Sequence, residues 1–167
     1  MAGVTIRPLA AADWPVVSAI YREGIESGDA TFETVVPAWE AWSAARCPDC
    51  RLVATEDEVV VGFAAVSPAS ARPAYAGVCE VMVYVAGRVR GKGVGTALMR
   101  ALVRESERAG IWTLQASIFP ENVASIRVHE RTGFRIVGQR DRIGRFHDGR
   151  WRDTIVLERR SAAVGID

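Results

Sequence analysis

The sequence predicts a mixed α/β domain, with a largely antiparallel central sheet of about seven strands flanked by about four helices. Three observations carry this. Short β-branched and apolar runs, such as Val59 to Val66 and Val78 to Val85, are bounded by turn residues. Other segments repeat apolar residues at helical spacing between capping residues and glycines. Between Arg51 and Val85 the strand-like runs follow one another with no helix between them, the order of a meander. Only the second half holds a strand–helix–strand crossover.

Taken in order, Val4 to Arg7 reads as a short strand. Asp13 is placed as an N-cap, with Pro15 in the first turn of a helix running to about Glu26. Ile20, Gly24 and Ser27 share one side of that helix. Gly28 to Glu33 is a loop, and Pro37 to about Arg46 a second helix carrying Trp39 and Trp42. Arg51 to Thr55 and Val59 to Val66 form a hairpin across Glu56-Asp57-Glu58. After a loop from Pro68 to Gly77 comes the strand Val78 to Val85. The basic, glycine-rich stretch from Gly87 to Gly95 opens a helix from about Val94 to Ala109, stopped by Gly110. Thr113 to Ile118 is a strand, and Asn122 to Thr132 a short helix ended by Gly133. Phe134 to Ile143 and Arg152 to Glu158 are the last strands, joined by a turn at His147-Asp148-Gly149. One domain is expected over residues 1–160, with a frayed tail from Ser161 to Asp167.

Composition bounds the function. The chain has 167 residues, 49% apolar and 25% charged, enough for one substantial core. A net charge of +1 gives no global field toward nucleic acid or a membrane surface. The apolar runs are strand-sized, and the start MAGVTIRPLAAADW has no basic head followed by an apolar core, so a cytoplasmic protein is expected. The five arginines from Arg140 to Arg152 are offset by Asp141, Asp148 and Asp153, and read as solvated faces. Cys47, Cys50 and Cys79 make an odd set. Cys47-Pro48-Asp49-Cys50 has CxxC spacing, but no second pair completes a zinc site. It closes a helix rather than opening one, so no metal is expected.

The chemical signal is Arg90-Gly91-Lys92-Gly93-Val94-Gly95, with Thr96 following, between a strand and a helix. Glycines permit positive φ and remove the Cβ atoms that would keep an anion away. The first N–H groups of the helix then converge on one point, aided by its dipole and by Arg90 and Lys92. The stretch fits a pyrophosphate. It is neither a Walker A loop, because Gly93 follows Lys92, nor a dinucleotide fingerprint, because the glycine spacing is G-x-G-x-G.

These residues resemble the [QR]-x-x-G-x-[GA] coenzyme A motif of the GNAT N-acetyltransferase superfamily. The resemblance extends to Asn122-x-x-Ser125 and to His129-Glu130-x-x-Gly133-Phe134. Four stretches resemble the phosphinothricin and methionine sulfoximine acetyltransferase group: Ala30-Thr31-Phe32-Glu33, Arg72-Pro73-Ala74-Tyr75, Glu80 to Val85, and Gly149-x-Trp151-x-Asp153. The resemblance implies a GNAT-like sheet, acetyl-CoA as co-substrate, a small-molecule amine acceptor bearing a carboxylate, and a homodimer.

Amide formation from a thioester needs a neutral amine, a stabilised oxyanion and a tolerated thiolate. Glu80 lies in an apolar strand whose alternation puts Val78, Glu80, Met82 and Tyr84 on one face. Burial there would push a carboxylate toward the range of a general base, and the resemblance places the family's catalytic glutamate at this position. Asn122, Ser125, Ile126 and His129 share a helix face. Asn122 can bond pantetheine amides, with Ser125 near the sulfur. His129 stands where most of the superfamily has a tyrosine, so acid, base and orienting roles all stay open. A backbone N–H of Val83 or Val85 is the candidate oxyanion donor. Cys79 faces away from Glu80, which argues against an acetyl-cysteine. Arg72 offers a fork to a carboxylate, and the resemblance assigns Phe32, Glu33, Arg72 and Tyr75 to the acceptor pocket. The alternatives are acetylation of a protein N-terminus or another amine, and a coenzyme A sensor without turnover.

Overall fold

A computed structural model describes residues 3–167. Its strands are β1 (Thr5–Pro8), β2 (Arg51–Glu56), β3 (Val59–Pro68), β4 (Val78–Val85), β5 (Thr113–Ile118), β6 (Arg135–Arg145) and β7 (Trp151–Arg160). Its helices are α1 (Trp14–Glu26), α2 (Trp39–Ala44), α3 (Val94–Arg108) and α4 (Val123–Glu130). The strands form one sheet in the order β1-β2-β3-β4-β5-β7-β6. Every neighbouring pair is antiparallel except β4 and β5, which α3 connects as a parallel crossover. The mixed, largely antiparallel fold expected from the sequence is the one observed.

The two faces of the sheet are covered differently. On one, Tyr21 of α1 and Trp42 of α2 meet Phe63 of β3, each at 6.1 Å between ring centroids. On the other, Leu98, Met99 and Leu102 of α3 are fully buried. Burial of each such side chain stabilises by roughly 1.5–3 kcal/mol. Gly24 lets α1 touch the sheet, because a Cβ there would stand 2.4 Å from the Tyr84 ring.

Three expectations are corrected. Asp13 precedes α1 but does not cap it with its side chain; its carboxylate takes both Nη atoms of Arg7 and the Ala10 N–H, all at 2.8 Å. The tail is tethered rather than frayed. Ser161 Oγ donates to Glu107 at 2.9 Å and accepts from the N–H groups of Ala163 and Val164, while Arg160 donates to the Val164 carbonyl at 2.8 Å. Arg152 is not on a solvated face but is buried. Cys47 to Cys50 forms a helix–strand junction, and Cys47 Sγ lies 3.9 Å from Cys79 Sγ. Among the described residues no group of three or more His, Cys, Asp or Glu is placed to hold a metal. Nor is any helix among them long and apolar enough to cross a membrane.

Candidate active site

The site begins where two strands part. β4 and β5 pair only at Val78–Thr113, Cys79–Leu114 and Glu80–Gln115. Beyond Glu80 they diverge, and a cavity of about 320 Å³ lies between Val81–Tyr84 on one side and Ala116–Phe119 on the other. The direction of the β4 backbone follows from its bonds. The Ala86 N–H donates to Val61 of β3, and the Val78 carbonyl accepts from Ala69, so even-numbered residues face β3. The Gly77 carbonyl accepts from Trp112 and Thr113, so odd-numbered residues face β5. The Val81 N–H closes the last rung of the β4–β5 ladder on Gln115, and the Val81 carbonyl and the main-chain groups of Val83 and Val85 point into the fork with no strand opposite them.

Glu80 is the last residue of β4 that pairs with β5, and it lines the cavity. The burial expected for it is not found: the face it shares with Met82 opens onto the cavity, and its side chain is exposed. Cys79 and Val81, on the other face, are buried against α3. Tyr84 ends the face, stacked on Phe63 at 5.3 Å and against Tyr21 at 5.0 Å. Burial pushes its hydroxyl well above the usual tyrosine range.

α4 supplies Asn122, Ser125 and His129 to the same cavity. Asn122 is the N-cap: its Oδ1 accepts from the Ser125 N–H at 3.1 Å, and its Nδ2 donates to the Asp29 carbonyl at 3.2 Å. One amide hydrogen and one lone pair remain for a ligand. His129 is 2% exposed, packed edge-on against Phe134. Its Nδ1 is 2.8 Å from the Ser125 carbonyl, which can only accept, so Nδ1 carries the proton. Nε2 is then a bare lone pair, buried without a partner among the described residues. Burial holds the imidazole below its ordinary range, and therefore neutral. Thr154 Oγ1, from β7, is likewise buried, unpartnered and part of the cavity wall.

The basic turn lies at the N-terminus of α3, outside the cavity lining. Gly91 and Gly93 have φ of 76° and 85°, and a Cβ on either would project into open space. Gly93, Val94, Gly95 and Thr96 contribute the first N–H groups of α3, which have no intrahelical acceptor. Gly95 packs beside Val85 of β4 and Val128 of α4, so the turn abuts both walls of the fork. Arg90 and Lys92 are exposed, and Arg90 Nε donates to the Val85 carbonyl at 3.4 Å. An anion would find main-chain donors, positive charge and no side chain in the way, so the residues fit a coenzyme A diphosphate.

The loop after α1 closes the opposite end. Thr31, Phe32 and Glu33 line the cavity. Phe32 packs on Phe119 at 4.8 Å and covers Gly144 of β6, where a Cβ would fall 2.5 Å from the ring. Arg152 holds this loop. Its guanidinium lies 3.9 Å from the Phe119 centroid and 5.2 Å from that of Phe146. It donates to the Gly28 carbonyl at 2.8 Å and to Asp29 and Glu121 at 3.2 Å. Arg72 and Tyr75 pair with each other at 5.8 Å on the exposed loop before β4, and neither lines the cavity. Sequence reasoning missed Arg46, Thr154 and Arg152. Only the position of Arg46 at the end of a helix hinted at a site.

Comparison with known proteins agrees with this geometry. The sequence pattern of the acetyltransferase (GNAT) family matches residues 10–134. The L-methionine sulfoximine/L-methionine sulfone acetyltransferase of Pseudomonas paraeruginosa is 32% identical over 160 residues, 92% of each chain. The crystal structure of a GNAT superfamily phosphinothricin acetyltransferase from Sinorhizobium meliloti in complex with acetyl-CoA is 32% identical, with a TM-score of 0.86, and the match covers 100% of this chain and 92% of that one. A ribosomal-protein-alanine N-acetyltransferase from Brucella melitensis has a TM-score of 0.86 at 31% identity, over 94% of this chain and 99% of that one. With the forked sheet, the glycine cradle at α3 and these relatives together, the chain belongs to the acetyltransferase (GNAT) family.

Proposed function

We propose that the protein transfers acetyl directly from acetyl-CoA to the α-amino group of a free amino acid or analogue of the methionine sulfoximine, methionine sulfone or phosphinothricin type. The observation that carries this is the convergence of Glu80, the β4–β5 fork and His129 on one cavity beside the Gly91–Thr96 cradle. The diphosphate rests on the cradle, and the pantetheine amides bond the open edge of β4 and Asn122. The thioester then lies near Glu80.

Glu80, directly or through water, takes the proton from the acceptor's ammonium. The free amine attacks the thioester carbon, and the N–H of Val83 meets the oxyanion. The Val85 N–H is the alternative donor, while its carbonyl is engaged by Arg90. The C–S bond breaks as the tetrahedral intermediate collapses. Nε2 of His129 has a lone pair and no proton, which supports an acceptor role. It takes the second nitrogen proton, and the leaving thiolate recovers one. Cys79 is buried on the opposite face and its thiol is pushed up to about 12 by burial, so direct transfer is the supported route.

A thiol-release assay tests the reading. Methionine sulfone, methionine sulfoximine and phosphinothricin are expected to turn over. A peptide with N-terminal alanine, the acceptor suggested by the Brucella melitensis neighbour, is expected to be poor. Turnover of the peptide alone would overturn the reading. Glu80→Gln is expected to lower kcat about 10²- to 10⁴-fold; an undiminished rate would remove the base. A homodimer belongs to the same reading, supported by exposed Ile136, Val137, Ile143 and Trp151 on β6 and at the start of β7. Light scattering at the monomer mass would exclude it.

A further inference from the structure

We propose that Thr154 sets acceptor specificity: its hydroxyl donates to an oxygen on the acceptor's side chain, so that the site takes the sulfone or sulfoximine of methionine in preference to methionine itself. This rests on the acceptor class proposed above. Thr154 is 3% exposed, and its Oγ1 has no hydrogen-bond partner among the described residues. Buried hydroxyls are nearly always bonded, so an orphaned one calls for a reason. In a helix a threonine hydroxyl can bond the carbonyl one turn back. On β7, a strand flanked by β5 and β6, it has no such local partner. Four buried side-chain atoms among the described residues lack a partner, and two of them line the cavity, Nε2 of His129 and Oγ1 of Thr154. Nε2 serves proton transfer. Oγ1 is left over, and it has a hydrogen to give. An incoming oxygen supplies the partner that the fold omits.

The position suits a side chain rather than the reacting amine. Glu80 pairs with Gln115 at the root of the fork, while Ile155, next to Thr154, pairs with Ile118, three residues further along β5. That is about 10 Å of strand. Both residues line one cavity, so an acceptor with its amine at Glu80 presents its side chain to Thr154. Continued by one residue, the β5–β7 register sets Thr154 opposite Phe119, on which Phe32 packs at 4.8 Å. In an aromatic wall of low polarity a made hydrogen bond is strengthened and an unmade one is penalised. In methionine sulfone, methionine sulfoximine and phosphinothricin the third atom beyond Cα is sulfur or phosphorus bearing oxygen. Methionine has a thioether there, a weak acceptor that leaves the hydroxyl without a good partner. A site built on a buried polar group rejects the analogue that cannot bond it.

The test compares L-methionine sulfone with L-methionine in the wild type, Thr154→Val and Thr154→Ser. Valine keeps the shape and removes the hydroxyl; serine keeps the hydroxyl. The wild type is expected to favour the sulfone in kcat/KM by at least about tenfold, the effect of one buried hydrogen bond. Thr154→Val is expected to lower kcat/KM for the sulfone roughly tenfold while methionine moves less than about threefold, which abolishes the preference. Thr154→Ser is expected to keep most of it. The KM for acetyl-CoA is expected to be unchanged, and the Tm of Thr154→Val no lower than that of the wild type, because no bond within the protein is lost. If the wild type does not favour the sulfone, or if Thr154→Val preserves the preference, the assignment of Thr154 is overturned and the acceptor class stands. The same holds if Thr154→Val weakens both acceptors alike, the result of a hydroxyl that serves His129 through a water. If the wild type acetylates no free amino acid, both fall.

Discussion

Nδ1 of His129 and the carbonyl oxygen of Ser125 meet at 2.8 Å, one helical turn apart in α4. This bond and the burial around it act against each other. The bond favours a proton on the ring, while burial, the larger effect, drives the imidazole below its ordinary 6.5. The folded state therefore binds fewer protons than the unfolded chain in mild acid. Stability is fully present above pH 6.5 and is lost as the pH falls below it. Asp13, held down by Arg7, and Glu107, held down mainly by the Ser161 hydroxyl, start from 3.8 and 4.5 and act at lower pH. Thermal melts between pH 8 and 5 are expected to show a falling Tm below 6.5, with a shallower decline in His129→Gln.

Gly93→Ala probes the cradle. At φ 85° an alanine is strained by about 1–2 kcal/mol, which lowers Tm by a few degrees in a chain this size. Its methyl would also stand where a diphosphate approaches. Calorimetry is expected to show acetyl-CoA affinity reduced by at least about tenfold, the cost of one lost charge-assisted contact. The acceptor KM is expected to be unchanged.

Arg152→Leu removes the guanidinium between Phe119 and Phe146 and frees the Gly28 carbonyl. Asp29 and Glu121 are more than half exposed and rehydrate, so the cost is about 1–3 kcal/mol rather than that of a broken buried pair. Phe32 and Glu33 lose their anchor. The acceptor KM is expected to rise severalfold, with acetyl-CoA affinity nearly unchanged. Steady-state kinetics separate the two.

Cys79→Ala is expected to keep kcat within a factor of about two, at roughly 1 kcal/mol of stability. Initial-velocity plots should intersect rather than run parallel, because no acetyl-enzyme forms. Cys50 and Cys79, both pushed up to about 12 by burial, should resist alkylation at pH 8 in the folded enzyme.

The backbone of this fold was largely readable. Val78 to Val85 is rich in valine, with Val81, Val83 and Val85 alternating with Glu80, Met82 and Tyr84, and the observed β4 has those same ends. Gly91 and Gly93 announced their positive φ by composition. What could not be read was side-chain company. Arg152 looks like any strand arginine, because Phe119, Phe146 and Gly28 come from separate segments. Glu80 shares its strand with buried neighbours, yet the parting of β4 and β5 exposes it. Arg46 lines the cavity and Arg72 does not, and neither local pattern encodes that.

The brief seam between β4 and β5 leaves a four-stranded leaf and a three-stranded leaf joined by three ladder rungs. A donor that lays its two amides in the gap supplies rungs the polypeptide does not make, and so becomes part of the sheet it reacts in. The amide hydrogens of Val83 and Val85 should exchange slowly with solvent in the donor complex and rapidly without it. An acceptor alone should leave their exchange untouched, so the enzyme would stiffen for one of its two substrates only.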